Sequence, residues 1–200
     1  MSSTGAPAEH SFREMLFSDC ARYRPTTRPS WLQVALLLPV HPGLLASVFL
    51  RLQQCLVRAG QVRLAWFTRT ICGCLTGADF VPGAQVGLGV SFAHPVGIVL
   101  GPGSRVGDFA TFAGGVVLGV RTYDHREAIG GDDEYPTVGH GVFFGAHAVL
   151  VGGVRVGDNA VIGANSVVNA DVAESSVVSG IPAIHVAYRT APDSASVAPA

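Results

Sequence analysis

From residue 138 to residue 173 a bulky apolar side chain returns at every sixth position: Val138, Phe144, Leu150, Val156, Ile162 and Val168. Four residues after each stands a smaller or β-branched one: Val142, Ala148, Val154, Ala160, Ser166 and Val172. A period of six matches neither the turn of an α-helix nor the alternation of one long strand. It matches a solenoid with three flat sides, each a short strand plus a turn, in which successive coils stack to bury one continuous core. The bulky residue fills the interior and the smaller one fits near a corner. The same phase runs through Phe80, Val86 and Phe92, slips by two residues at Ile98 and Val99, and resumes at Leu100, Val106, Phe112 and Leu118. The fold expected is mainly β, a parallel β-helix of hexapeptide repeats.

The remaining chain differs in kind. Residues 1–75 carry eight Arg against three acids, residues 76–200 five Arg against eleven acids, and there is no Lys. Any cation facing a phosphate must then be an Arg, a His or a helix N-terminus. Mean hydropathy is high at +0.40, but Val, Ala and Gly of the solenoid account for much of it. All four cysteines, Cys20, Cys55, Cys72 and Cys74, lie before the solenoid, and Cys72-Gly-Cys74 is not a redox or zinc spacing. They are expected to be reduced, packed thiols. The N-terminus has no basic stretch leading into an apolar run and a cleavage site, so a cytoplasmic protein is expected.

Along the chain, residues 1–10 are small, polar and expected to be disordered. A helical domain follows over 11–76, with helices at Ser11 to Arg24, Trp31 to Leu38 (stopped by Pro39 and Pro42), Gly43 to Ala59 and Gln61 to Leu75. Trp31 to Leu50 is apolar, but its Pro39-Val40-His41-Pro42 interruption leaves no clean run of the roughly 20 residues a membrane span needs. A buried helical layer is expected, with peripheral membrane contact through this basic, apolar domain as the alternative. The solenoid occupies 77–189. It ejects a polar loop over 121–137, the kind of excursion on which repeat proteins place function. Residues 190–200 read as a loose tail.

The text GADFVPGAQVG from Gly77, AHPVGIVLG from Ala93, YPTVGHGVFFGAHAVLVG from Tyr135, VIGANSVV from Val161 and SGIPA from Ser179 resembles the serine acetyltransferase branch of the left-handed β-helix acyltransferases. It is also similar to their relatives that acylate polysaccharides. The resemblance covers a little over half the chain and implies a left-handed coil, a preceding helical domain and an acyl-CoA donor, acetyl-CoA first. It implies a homotrimer, or a dimer of trimers, with acyl-CoA clefts between adjacent subunits.

The resemblance makes His94 the general base. Acyl transfer to a hydroxyl requires a group that removes its proton as the oxygen attacks, and imidazole suits that role. Asp79, fifteen residues earlier, has the spacing of the family's orienting carboxylate. Departures surround this pair. Where the serine enzymes have Asp-His this chain has Ala93-His94, and where they have Arg-His-Pro it has Glu134-Tyr135-Pro136. Like charges held about 4 Å apart repel by a few kcal/mol at intermediate dielectric, so Glu134 opposes a substrate carboxylate. The expectation drawn is a hydroxyl- or amine-bearing acceptor other than serine, with serine as the alternative. Tyr135 is a candidate catalytic hydrogen-bond donor. Ala93, Glu134 and His125 of the acidic loop are candidate acceptor contacts, His125 as stand-in for the missing second His.

For coenzyme A, the resemblance points to the small corner residues Gly145, Ala146, Gly163 and Ala164, which leave backbone amides open to an extended pantetheine. Arg155 and Arg189 are candidates for the nucleotide phosphates. Two rival readings use the same coil. A metal-dependent hydratase would need three His converging on zinc, and His140 and His147 have the wrong spacing for that family's pair, so no metal is expected. A non-catalytic scaffold would release no thiol from acetyl-CoA with any acceptor.

Overall fold

A computed structural model describes residues 10–24, 29–121 and 134–189, and within it the six-residue phase becomes the three sides of a coil. The expected disorder before residue 10, the tail after 189, and His125 with the rest of residues 122–133 lie outside the described residues.

The first side stacks β1 (Asp79–Phe80), β4 (Val99–Leu100), β7 (Val117–Gly119), β10 (Val149–Val151) and β13 (Val167–Val168) in parallel. The second stacks β2 (Gln85–Val86), β5 (Arg105–Val106), β8 (Thr137–Val138) and β11 (Arg155–Val156). The third stacks β3 (Ser91–Phe92), β6 (Thr111–Phe112), β9 (Phe143–Phe144), β12 (Val161–Ile162) and β14 (Ser176–Ser179). On its outer edge β15 (Ile184–Tyr188) adds antiparallel to β14.

Each strand sends one residue inward and one outward, as strand geometry requires. All the sixth-position residues named above are buried, and Phe80, Phe92, Phe112 and Phe144 form a continuous ring stack with centroids 5.0, 5.4 and 4.5 Å apart. Each such side chain contributes roughly 1.5–3 kcal/mol when fully buried. The corners demand left-handed backbone at equivalent places. From the third side to the first these are Gly97, Gly115, His147 and Asn165, at φ 74, 73, 58 and 56°. Gly and Asn adopt that region readily; a His there is uncommon.

The helices close the open end of the first coil. α1 (Phe12–Tyr23) and α2 (Trp31–Leu37) each begin with a capping box, Ser11 with Glu14 and Ser30 with Gln33. α3 spans Pro42–Arg58, so Pro42 opens this helix rather than only ending the one before. A proline fits there because its fixed φ is helical and the first turn has no N–H bond to lose. α4 (Val62–Thr76) stops at Gly77, whose φ of 72° leads into β1. Tyr23 both donates to the Phe92 carbonyl (3.2 Å) and accepts from its N–H (3.0 Å), satisfying the outer edge of β3. No helix among the described residues is long and apolar enough to cross a membrane. The packing expected of all four thiols holds for Cys20 and Cys72; Cys55 is half-buried and Cys74 is exposed.

Candidate active site

His94 sits on the corner that leads from β3 to β4, exposed, with no side-chain partner among the described residues. The same corner recurs one coil later at Gly114 and Gly115, then at Gly145 to His147, then at Gly163 to Asn165. Backbone bonds tie these levels together: Gly115 N–H to the Val96 carbonyl (3.0 Å), His147 N–H to Gly114 (2.8 Å) and Asn165 N–H to Ala146 (2.8 Å). His94 thus heads a column that contains all four small residues expected to border a pantetheine chain. A Cβ on Gly114 would lie 3.4 Å from that of His94, so glycine leaves the space beside the imidazole open. Ala146 is partly exposed and Ala164 exposed, which is what an extended ligand lying along the corner requires.

His147 belongs to this column and was not a candidate for it in the sequence. Its ring covers Gly115, where a Cβ would collide with it. The signal was available: the six-residue phase puts residue 147 at the same corner level as Ala146. His140 is at a different corner, between the second and third sides. There its Nδ1 accepts from Asp108 N–H (3.0 Å) and its own N–H donates to Asp158 (2.7 Å). The two histidines weighed for a zinc pair therefore serve separate corners.

Asp79 opens β1 two residues after Gly77. Both of its carboxylate oxygens are taken by Arg69 of α4, Oδ1 by Nε and Oδ2 by Nη2 at 2.6 Å. No hydrogen bond joins Asp79 to His94 among the described residues. Arg69, absent from the sequence candidates, also lies 4.9 Å from the Trp66 ring centroid. Gln53 of α3, in the amide orientation that pairs both its atoms, links the Phe80 carbonyl (2.8 Å) to the Arg69 N–H (3.3 Å).

Glu134 and Tyr135 rejoin the coil at a third corner, between β7 and β8, and so do not meet His94 within one chain. Glu134 is exposed. Tyr135 is 4 % exposed, with its ring laid across Gly101 and Gly103 of the previous coil, where any Cβ would strike it. Burial first, and the Glu134 charge second, push its phenol above the ordinary range. Arg155 projects from the outer face of the second side, its N–H bonded to Asp171 (2.8 Å), and Arg189 follows β15 with its N–H on the Ser175 carbonyl (2.6 Å). Neither lies on the His94 column within the chain. Ala93 does, as the exposed neighbour of His94.

A coil of this construction with an imidazole at the head of a small-residue corner defines a hexapeptide-repeat transferase. The pattern described as bacterial transferase hexapeptide (six repeats) matches residues 135–170. The serine acetyltransferase of Mycobacterium tuberculosis is 36% identical over 162 residues, 81% of this chain and 67% of that protein. That of Helicobacter pylori is 33% identical over 156 residues, 78% of this chain and 85% of its own. Among solved structures, soybean serine acetyltransferase complexed with serine superposes with a TM-score of 0.77 at 30% identity, covering 88% of this chain and 70% of that one. A serine acetyltransferase complex with CoA gives 0.70 at 31%, covering 86% and 68%. The chain belongs to the serine acetyltransferase family, its β-helix is left-handed, and it is an acetyl-CoA-dependent acetyltransferase.

These matches overturn the expectation of an acceptor other than serine. Within one chain Glu134 stands at another corner from His94, so its place in the motif does not by itself set a repulsion between its charge and the acceptor. Tyr135, expected as a catalytic hydrogen-bond donor, has its ring packed against Gly101 and Gly103.

Proposed function

We propose that this chain is a serine O-acetyltransferase, moving the acetyl group of acetyl-CoA onto the serine hydroxyl. The observation that carries the reading is the His94 column, an exposed imidazole in line with Gly114, Gly145, Ala146, Gly163 and Ala164 on a coil of this family. Acetyl-CoA supplies an activated acyl carbon and a thiol leaving group. The column fits its extended arm because small side chains leave the corner amides open, and the reactive end then lies toward His94.

His94 in its neutral form takes the proton from the serine hydroxyl as the oxygen bonds to the acyl carbon, and returns it to the departing sulfur. Asp79 orients the imidazole through its second ring nitrogen, the division of labour seen in hydrolase triads. Ala93 borders the acceptor. Glu134, with Tyr135 behind it, contributes from a neighbouring copy of the chain, since the two corners do not meet within one.

A trimer supports that arrangement. Beyond Asp79, the outward residues of the first side form a ladder of valines, Val99, Val117, Val149 and Val167, while those of the third run from Ser91 and Thr111 to Phe143, Val161 and Val177. The second side instead presents Gln85, Arg105, Thr137 and Arg155. The valine ladder of the first side and the apolar upper part of the third support packing against neighbouring copies, because outward apolar columns mark interaction surfaces. The unpaired cysteines and the use of acetyl-CoA support a cytoplasmic location.

The test is CoA release from acetyl-CoA with and without serine, with the product identified by mass spectrometry as O-acetylserine. Serine-dependent release at a rate well above the thioester's own hydrolysis is expected. No release at saturating serine would overturn the reading.

A further inference from the structure

The Arg69–Asp79 contact has no counterpart in the sequence argument, yet it engages the carboxylate assigned to orient the base. We propose that Arg69 is a positioning residue for the proton-transfer pair. It fixes the plane of the Asp79 carboxylate from the helical domain. This rests on the reading of His94 and Asp79 given above.

The geometry is that of a bidentate guanidinium–carboxylate pair, the arrangement that best fixes the plane of a carboxylate. Each carboxylate oxygen has two acceptor directions, so two bonds to Arg69 leave room for one from an imidazole N–H. Arg69 is itself held. Its guanidinium lies against the Trp66 ring, and its backbone N–H meets Gln53, whose other amide atom grips the Phe80 carbonyl beside Asp79. Asp79 is thereby anchored through both side chain and backbone to α3 and α4. Both partners are partly exposed, at 30 and 39%, so the pair borders the solvent side of the corner rather than the core. A cation there is not required for burying Asp79, which leaves positioning as its contribution.

The experiment compares kcat and KM for the wild type, Arg69→Gln, Arg69→Lys, Asp79→Asn and the Arg69→Gln/Asp79→Asn pair, with serine and acetyl-CoA. Arg69→Gln should lower kcat about tenfold and leave the acetyl-CoA KM unchanged. Arg69→Lys keeps the charge and loses the fork, so kcat should fall several-fold. The double variant should be no slower than Asp79→Asn alone, because Arg69 acts through Asp79. Wild-type kcat in Arg69→Gln or Arg69→Lys, or a double variant slower than Asp79→Asn, overturns the proposal while leaving the His94–Asp79 reading intact. Full activity in Asp79→Asn overturns both, and is recognised as such. Should Arg69→Gln fail to fold, Arg69→Lys still decides the proposal.

Discussion

Arg51 of α3 and Asp19 of α1 form a doubly hydrogen-bonded ion pair, 2.8 Å at each bond, with neither side chain exposed at all. Arg51 reaches onward to the carbonyls of Val86 and Gly87, each at 2.6 Å, and Asp19 accepts from Val90 N–H at 2.9 Å. The pair therefore rivets the helical domain to the first corner of the coil. Removing one partner strands a buried charge and unpairs backbone groups. Asp19→Asn should thus cost about 3–5 kcal/mol of stability, read from denaturant unfolding. A loss below about 1 kcal/mol would mean that water reaches Arg51 and that the rivet is not dry.

Tyr23 makes stability depend on alkaline pH. Burial raises its phenol from 10 to about 12, opposed in part by its bond to the Phe92 backbone. The folded chain keeps the proton longer than the unfolded one, so the contribution is intact below pH 10 and lost as pH rises from 10 to about 12. The loss should reach about 2 kcal/mol. Tyr23→Phe should unfold at lower denaturant near neutrality yet show a shallower decline over this window. Parallel decline of the two proteins would remove Tyr23 as the source.

His94→Ala should lower kcat about 10²–10⁴-fold with little change in the KM for acetyl-CoA, because the imidazole moves a proton and does not hold the donor. Stopped assays over pH 6–9 with both proteins give the comparison. Normal turnover by the variant would assign the base elsewhere on the column, with His147 the next imidazole along it.

The solenoid was legible because its period is a direct image of its geometry: one inward residue per side, repeated without exception from Val138 to Val168. The four helices fall within a residue or two of the bounds read from the apolar pattern and the prolines, while their caps at Ser11, Ser30 and Gly77 come from the structure. What the sequence hid are contacts made across elements. Arg69 and Asp79 are separated by a helix end and a left-handed glycine, and no spacing rule reports how that turn aims them. Tyr135 reads as a catalytic hydrogen-bond donor from its place in the motif, while its ring in space lies against Gly101 and Gly103 of another coil. The acceptor was misjudged for the same reason, by treating residues adjacent in a motif as adjacent in a site.

The column makes a separate prediction about the donor. Ala164 is exposed on a level two coils beyond Gly114, so a larger side chain there meets solvent and not the core. Ala164→Leu should leave stability within about 0.5 kcal/mol of the wild type. It should raise the acetyl-CoA KM about tenfold or more and leave the serine KM unchanged, measured by CoA release. A rise in both constants would instead point to a disturbed corner.

Glu134 bears on how serine is held. It is exposed, carries the charge of a carboxylate, and enters the site from a neighbouring copy in the proposed trimer. If it faces the acceptor, it attracts the serine ammonium and repels the serine carboxylate, and the two effects oppose one another across a molecule a few ångströms long. Glu134→Arg reverses both and adds a fork able to take the carboxylate in two bonds. The balance favours the variant, since a bidentate charge-assisted contact outweighs a single exposed attraction. The serine KM should fall several-fold, with the acetyl-CoA KM unchanged. In the proposed trimer, co-assembling His94→Ala and Glu134→Arg chains should return the serine KM toward the wild-type value, because the working mixed interface joins His94 of one chain to the unaltered Glu134 of the other. An unchanged serine KM in Glu134→Arg would place this residue outside the acceptor's reach and leave Ala93, beside His94, as the contact to vary next.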